Sequence, residues 1–462
     1  MGYRNEEMDQ GVGVREYLTE AKETLLLALP LIAGQLGQMF IGLADTVMIG
    51  RVGTVALAAS TFANTLLMVP LLFGVGLLTS VSIRVAKARG GQRHDDVKHA
   101  LRHGTWLAFV YGLIVFVICL AVLPLLGNFG QVDEVVEAVP TYFLLVAVSL
   151  VPAMMAMAWK NYGDALNKPW VPFWIILAGV GLNVLLNWIF IYGNWGSPEL
   201  GMEGAGVATL IARIVTVVML FAWIILAPSI CRWRPRRWWG SWKRGEFRVL
   251  LRLGVPIGLQ LLAEMGAFTA ATLMVGGLGV IALAAHQVAF ICTSVAFMVP
   301  LGIAMAITVR MGAAAGVEDV AGRVRQLRSI LIGGWGFGLI FSTLSMVLFI
   351  SCGRFIAQQI VTEPAVVDLA TSLLVIAGLF QVVDGSQVIS SSALRGMGDV
   401  VVPAWAGAFA YWGVSVPLGF YLIYHAGSGA AGAWWGLAIG LGVAAVLLGV
   451  RAWRVSARFT GN

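Results

Sequence analysis

Long apolar runs alternate with short stretches that carry charges, prolines and glycines, and this pattern continues along almost all 462 residues. A helix needs about 20 mostly apolar residues to cross the hydrocarbon core of a bilayer. Runs of that kind predict twelve membrane-spanning helices, near residues 24–49, 56–82, 103–126, 138–158, 170–193, 204–227, 252–276, 281–309, 327–350, 368–393, 401–425 and 430–450. Almost no chain is left for a water-soluble domain.

The composition agrees with this pattern. Hydrophobic residues make up 59% of the chain and charged residues 11%, and the mean hydropathy is +0.87. Soluble domains carry roughly 25% charged residues. The fold class we predict is therefore an all-α integral membrane protein.

The basic residues lie almost entirely on one side of the predicted spans. Of the 30 Lys and Arg residues, Arg51 and Arg354 fall on the opposite side and Arg213 falls inside the sixth span. This asymmetry matches the positive-inside rule. It predicts a protein of the bacterial inner membrane with both termini in the cytoplasm. The net charge of +7 then reflects orientation in the lipid bilayer, and we expect no nucleic-acid partner.

The two halves of the chain resemble each other. An ungapped shift of 226 residues pairs Pro30 with Pro256 and Arg84 with Arg310. Each half holds six spans, and because six is even the repeats are parallel, which predicts two six-helix lobes around a central cleft. The predicted organisation is an N-terminal cytoplasmic segment, an N-terminal lobe, a cytoplasmic linker, a C-terminal lobe and a cytoplasmic tail, at 1–23, 24–227, 228–250, 251–452 and 453–462.

Two carboxylates lie deep inside predicted spans of the second half, Glu264 in the seventh and Asp384 in the tenth. A charge near the bilayer centre costs about 2.5–3.5 kcal/mol even on the lenient insertion scale, so neither should face lipid. The repeat pairs Glu264 with the neutral Gln38, so packing at this level does not itself demand a charge. No Lys or Arg lies well inside a span of the second half, which argues against a structural ion pair.

A second polar group is predicted in the first half. Asn183 and Asn187 are four residues apart and share one face of the fifth span. With Thr209 of the sixth span they can form a pocket around Asp45 of the first. Two structural interpretations stay open: an ion pair between Arg213 and Asp45, and hydrogen bonds from the asparagines that merely link helices.

The stretch "HDDVKHALRH" contains residue types that bind metal ions. They are His94, Asp95, Asp96, His99 and His103. Arg93, Lys98 and Arg102 lie among them, and their positive charge opposes a bound cation. We therefore expect no metal at this loop.

The segments "LPLIAGQLGQMFIGLADTVMIGRVGTVALAA" and "GVPIGLQLLAEMGAFTAATLMVGGLGVIALAAHQVA" resemble the multidrug and toxic compound extrusion (MATE) family, in its NorM-like branch. The segments "NVLLNWIFIYGNWGSPELGMEGAGVATLIARI" and "SSALRGMGDVVVPAW" extend the resemblance over essentially the whole chain. It implies a monomeric antiporter that exports small amphipathic, often cationic, drugs by alternating access. The driving force is inward movement of sodium or protons, with no other cofactor.

The resemblance also implies site residues. It assigns cation binding, with sodium as the metal ion, to Glu264 and Asp384. It assigns a proton or substrate pocket of the first lobe to Asp45, Asn183, Asn187 and Thr209. Secondary candidates are Gln38, Gln287, Phe380 and Met265. Family members often carry Tyr where this chain has Phe380, so one hydroxyl ligand for sodium is missing at that position.

Other functions stay open but fit less well. A flippase for a lipid-linked glycan or lipid substrate would line its cleft with several basic residues, and only Arg213 is available. A membrane-embedded enzyme would need a catalytic cluster near the interface, and none is visible, so we predict that the protein is not an enzyme.

Overall fold

The fold consists of long helices that run back and forth. The computed structural model describes residues 14–235, 238 and 243–459, and in this part of the chain twelve helices are long and apolar enough to cross a membrane. They are α1 Val14–Gly50, α2 Thr54–Gly90, α3 His94–Val122, α4 Asp133–Ala165, α5 Trp170–Tyr192, α6 Gly201–Leu226, α7 Arg244–Gly276, α8 Val280–Gly316, α9 Val320–Ile360, α10 Pro364–Gly396, α11 Val401–Tyr424 and α12 Ala430–Arg458. The twelve predicted spans are confirmed. Parts of the predicted N-terminal segment, linker and tail, at 1–13, 236–237, 239–242 and 460–462, lie outside the described residues.

Most of the helices are longer than the apolar runs that predicted them, whereas α5 and α11 match theirs to within one residue. The run at 327–350 lies inside α9, which extends to Val320 and Ile360. The difference arises because a helix continues into polar residues beyond the hydrocarbon, where hydropathy no longer marks it. α11 contains a π-helical turn at Phe409–Ser415, an irregularity that often accompanies functional sites.

The internal repeat is visible in the helix boundaries. α2 and α8 each have 37 residues, and their first and last residues differ by the same shift of 226 that aligns the sequences. The repeat also explains why Gly76 and Gly302, which that shift pairs, occupy equivalent positions in two helices of equal length.

The chain forms two compact units. One combines the chain up to Ile32 with everything from Ala263 onward, and the other comprises Ala33–Leu262. α1 and α7 are therefore each divided between the units, whereas the predicted lobes kept both helices whole.

Close helix contacts account for part of this division. Within the 33–262 unit, the first half of α7 lies so near α2 that a Cβ on Gly76 would lie 2.5 Å from the backbone of Gly258. Within the other unit, a Cβ on Gly302 of α8 would lie 2.8 Å from the Cα of Ile32 in α1. Small residues of this kind let membrane helices approach at backbone distance.

Two ion pairs follow the same repeat. In the 33–262 unit, Arg84 of α2 donates two hydrogen bonds to the carboxylate of Glu246 in α7, at 2.6 and 3.1 Å. In the other unit, Arg310 of α8 pairs with Glu20 of α1. Both members of the second pair are related to the first by the shift of 226. The repeat, which aligns residues 30–90 with 256–316, matched the two arginines. Their carboxylate partners, Glu20 and Glu246, lie before these segments.

We expect Glu246→Gln to lower stability by about 1.5–3 kcal/mol, the usual contribution of hydrogen bonds to a charged group. Both side chains are largely buried, so little solvent screening weakens the pair. The melting temperature of the purified protein measures the effect, with Glu20→Gln as the repeat-related variant and the exposed Glu137→Gln as the control. Equal melting of the Glu246 and Glu137 variants would contradict the assignment.

Candidate functional site

The two deep carboxylates of the second half lie in one compact unit and within electrostatic reach of each other. Asp384 of α10 is 5% exposed, and its Oδ1 has no hydrogen-bond partner among the described residues. Glu264 of α7 is partly buried. The structure therefore brings together the residue pair that the sequence singled out.

Two further residues, which the sequence did not point to, lie beside Glu264. Arg395, in the last turn of α10, and Tyr411, in the π-helical turn of α11, both interact with it. The expectation that no basic residue accompanies the pair is thus corrected. Arg395 lies just beyond the predicted span at 368–393, about 16 Å along the helix from Asp384, and it interacts with Glu264 on a neighbouring helix.

The polar residues of α10 on either side of Asp384, such as Gln381 and Gln387, are buried among other helices. Gln381 donates to the carbonyl of Thr293 in α8 at 2.7 Å, and Gln387 is 2% exposed. A Cβ on Gly385 would lie 2.5 Å from the hydroxyl of Ser342 in α9. Polar side chains next to Asp384 in sequence are therefore buried in the same helix packing.

The secondary candidates of the second half differ in position. Phe380 is buried in an aromatic cluster, with ring centroids 6.1 Å from Phe268 and 5.7 Å from Trp434. Gln287 is exposed and Met265 is partly buried. Phe380 therefore fills an apolar core position one turn before Asp384.

In the 33–262 unit the predicted first-half pocket is assembled by hydrogen bonds. Asn187 donates to Asp45 at 2.5 Å and to the side-chain oxygen of Asn183 at 3.4 Å. Asn183 in turn donates to the hydroxyl of Thr209 at 3.4 Å. The chain of contacts links α1, α5 and α6. Gln38, the remaining candidate, is exposed.

Arg213 belongs to the edge of this pocket. Its guanidinium donates to the hydroxyl of Ser149 at 2.7 Å and interacts electrostatically with Asp45 and Tyr142. Within the described part of the chain no ion pair joins it to Asp45, so the structural ion pair left open by the sequence does not form. Tyr142 is held by Asn64 at 3.3 Å. The sequence did not predict that Ser149, Tyr142 and Asn64 lie here, because a single polar residue in an apolar helix does not reveal its partner.

The acidic residues of the "HDD" stretch pair with basic neighbours. Asp95 lies 2.8 Å from Lys98, and Asp96 lies 3.6 Å from both Arg84 and Arg93. Among the described residues no group of three or more potential metal ligands was found. Asp95 is exposed, Asp96 is partly buried and His103 is buried, so the stretch does not form one common face.

Replacing His94, Asp95 and Asp96 by Asn is expected to change transport by less than about twofold. The pairs of Asp95 with Lys98 and of Asp96 with Arg93 are solvent-accessible. Solvent-accessible ion pairs contribute about 0–1 kcal/mol each. Arg84, the other partner of Asp96, keeps its pair with Glu246 in the variant. Drug resistance of cells that express the variant measures the effect, with protein abundance checked in parallel. Lost resistance at normal abundance would show that this stretch has a functional role.

Known proteins resemble this chain over nearly its whole length, including both halves of the internal repeat. A sequence profile of the MatE family matches residues 30–189 and 256–421, two segments whose starts differ by the internal shift of 226. A protein from Bradyrhizobium diazoefficiens named probable multidrug resistance protein NorM is 36% identical over 98% of this chain and 97% of its own. One of the same name from Burkholderia mallei is 37% identical over 95% of this chain and 93% of its own.

Solved structures show the same fold. A crystal structure of MATE in complex with MaL6 has a TM-score of 0.88 and covers 96% of this chain and 98% of its own. A MOP superfamily transporter from Pyrococcus furiosus has a TM-score of 0.87 and covers 96% and 97%. Both are 20% identical in sequence, so they establish the fold alone.

Proposed function

The chain belongs to the MATE family of membrane transporters, and from this premise we propose that it is a cation-coupled multidrug efflux antiporter. It exports amphipathic, often cationic, compounds by alternating access, driven by inward movement of sodium. It acts as a monomer in the bacterial inner membrane with both termini in the cytoplasm. The observation that carries the proposal is the pair formed by the partly buried Glu264 and the buried Asp384.

The charges around this pair suit one monovalent cation. Two carboxylates and the guanidinium of Arg395 leave one uncompensated negative charge. Burial disfavours a charged carboxylate unless a proton or a cation relieves it. One sodium ion or one proton neutralises the cluster, and a cationic drug competes for the same negative charge. Cation entry from outside then displaces the drug.

The membrane potential supplies direction. Each positive charge that moves inward gains about 2.3 kcal/mol per 100 mV. A cation that reaches Glu264 and Asp384 from the outer side therefore drives the return step of the cycle. The hydrogen-bonded pocket of Asp45, Asn183 and Asn187 is proposed as the first-half site for protons or substrate.

Tyr411 is proposed to supply the hydroxyl that Phe380 lacks. Its ring is fully buried, and it interacts with both Glu264 and Asp384. We expect Tyr411→Phe to raise the sodium concentration for half-maximal export about tenfold, the effect of losing one polar interaction with a charged group. Sodium titration of efflux measures this, with the exposed Tyr421→Phe on the same helix as control. An unchanged titration would remove Tyr411 from the site.

Ethidium accumulation tests the proposed export directly. Cells that lack their major efflux pumps should accumulate less ethidium when they express this chain than when they express the Asp384→Asn variant. Resistance to a panel of cationic drugs should rise in parallel. Equal accumulation and equal resistance, with both proteins present in the membrane, would overturn the proposed function and favour the lipid flippase.

A further inference from the structure

A groove on the surface of the protein lies between the start of α11 and the end of α12. It has a volume of about 800 Å³, and its apolar walls come from Val402 and Ala406 of α11 and from α12. The α12 wall consists of Val446, Leu447, Leu448, Val450 and Val455, and Phe459 follows directly after the helix. All these residues belong to one compact unit. Volumes of 300–1,000 Å³ are typical of sites for small organic ligands.

Three arginines of α12 line the same groove. Arg451, Arg454 and Arg458 follow one another at spacings of three and four residues, so they share one helix face. Arg451 is paired with Asp399 at 2.6 Å. Arg454 and Arg458 are exposed, and in the described part of the chain neither forms an ion pair. The groove therefore carries a surplus of positive charge.

One end of the groove is apolar and the other end is positively charged, which matches the apolar tail and charged headgroup of an amphiphile. The apolar residues from Val446 to Val450 lie toward the middle of α12, and the arginines occupy its last two turns. Val446 is 65% exposed on a helix that is long and apolar enough to cross a membrane. Trp405 of α11 and Trp453 of α12 are also exposed, and exposed tryptophans near the ends of spans are typical of the membrane interface.

We propose that this groove binds an anionic glycerophospholipid of the surrounding leaflet, with its phosphate at Arg454 and Arg458 and an acyl chain along the apolar wall. Charge complementarity selects this occupant. A cationic drug is repelled by the arginines, and a zwitterionic lipid brings a positive group next to them. The site is separate from the one proposed for export, and its test does not depend on transport.

Native mass spectrometry of delipidated protein in detergent tests the proposal, with phosphatidylglycerol and phosphatidylcholine of equal chain length as probes. The wild type should retain phosphatidylglycerol in preference. Near a membrane surface each basic residue contributes about 1 kcal/mol to the attraction of anionic lipid, which is about fivefold in affinity. Arg454→Gln with Arg458→Gln should therefore weaken phosphatidylglycerol binding at least tenfold.

Two control variants separate the site from general surface charge. Arg252→Gln with Arg325→Gln removes two exposed arginines outside the groove and should leave binding unchanged. Ala406→Trp fills the groove without changing charge and should weaken binding as much as the arginine pair does. Excess inorganic phosphate should not displace the lipid.

Three outcomes would overturn the proposal. They are equal retention of both lipids by the wild type, equal loss in the groove pair and the control pair, and full displacement by inorganic phosphate, which would indicate an anion site without a lipid.

Discussion

Neutralising either deep carboxylate of the second half is expected to abolish export. Glu264→Gln and Asp384→Asn each keep the size of the side chain and remove one charge. With Arg395 in reach of Glu264, the cluster then has no net negative charge and no longer attracts a cation. Losing one interaction with a charged group costs about 1.5–3 kcal/mol, which corresponds to roughly tenfold to a hundredfold in cation affinity.

Drug resistance and ethidium efflux of cells with matched protein levels measure this loss. Asp368→Asn is the control. Asp368 lies on α10, the helix of Asp384, but it is exposed and forms an ion pair with Arg354 at 3.2 Å. That variant should export normally. The melting temperatures of all three variants should stay near that of the wild type. Normal resistance in either the Glu264 or the Asp384 variant would contradict the cation-site assignment.

The second large effect is expected from Gly76→Val. The Cβ of the new side chain would lie 2.5 Å from both the nitrogen and the Cα of Gly258, so α2 and the first half of α7 must move apart. Overpacking of this kind costs about 1–3 kcal/mol. Gly258 cannot relieve it by changing a rotamer, because the obstructing atoms are backbone. We expect a lower melting temperature and a lower yield of folded protein.

Gly336→Val provides the matched control. Gly336 also lies inside a long helix, but nothing comes within 4 Å of its Cβ position. Gly302→Val, the repeat-related change, should resemble Gly76→Val because a Cβ there meets the backbone of Ile32. If the Gly76 and Gly336 variants melt together, the close approach of α2 and α7 is not important for stability.

The helices and their repeat could be predicted from sequence because both depend on local signals. An apolar run long enough to cross a bilayer identifies a span wherever it packs. Glycines and arginines matched in one register identified the repeat, and α2 and α8 keep that register to the residue. Helix ends were less predictable, since the ends of α9 lie in residues whose hydropathy resembles that of a loop.

The candidate sites were predictable only in part. The contacts of Asp45 with Asn187, and of Asn183 with Thr209, followed from a shared helix face and the rarity of polar groups in spans. Arg395 was missed because its role depends on a neighbouring helix. Near the end of α10 it resembles an ordinary boundary arginine, and only the packing of α7 against α10 and α11 brings Glu264 within its reach.

The most direct test is ethidium efflux from proteoliposomes under an imposed inward sodium gradient or an imposed inward proton gradient, each alone. We predict that the sodium gradient drives efflux in the wild type and fails to do so in the Glu264→Gln and Asp384→Asn variants. Efflux under the proton gradient alone would contradict sodium coupling and make these carboxylates or Asp45 the proton carriers. Efflux under neither gradient would contradict cation-coupled export itself.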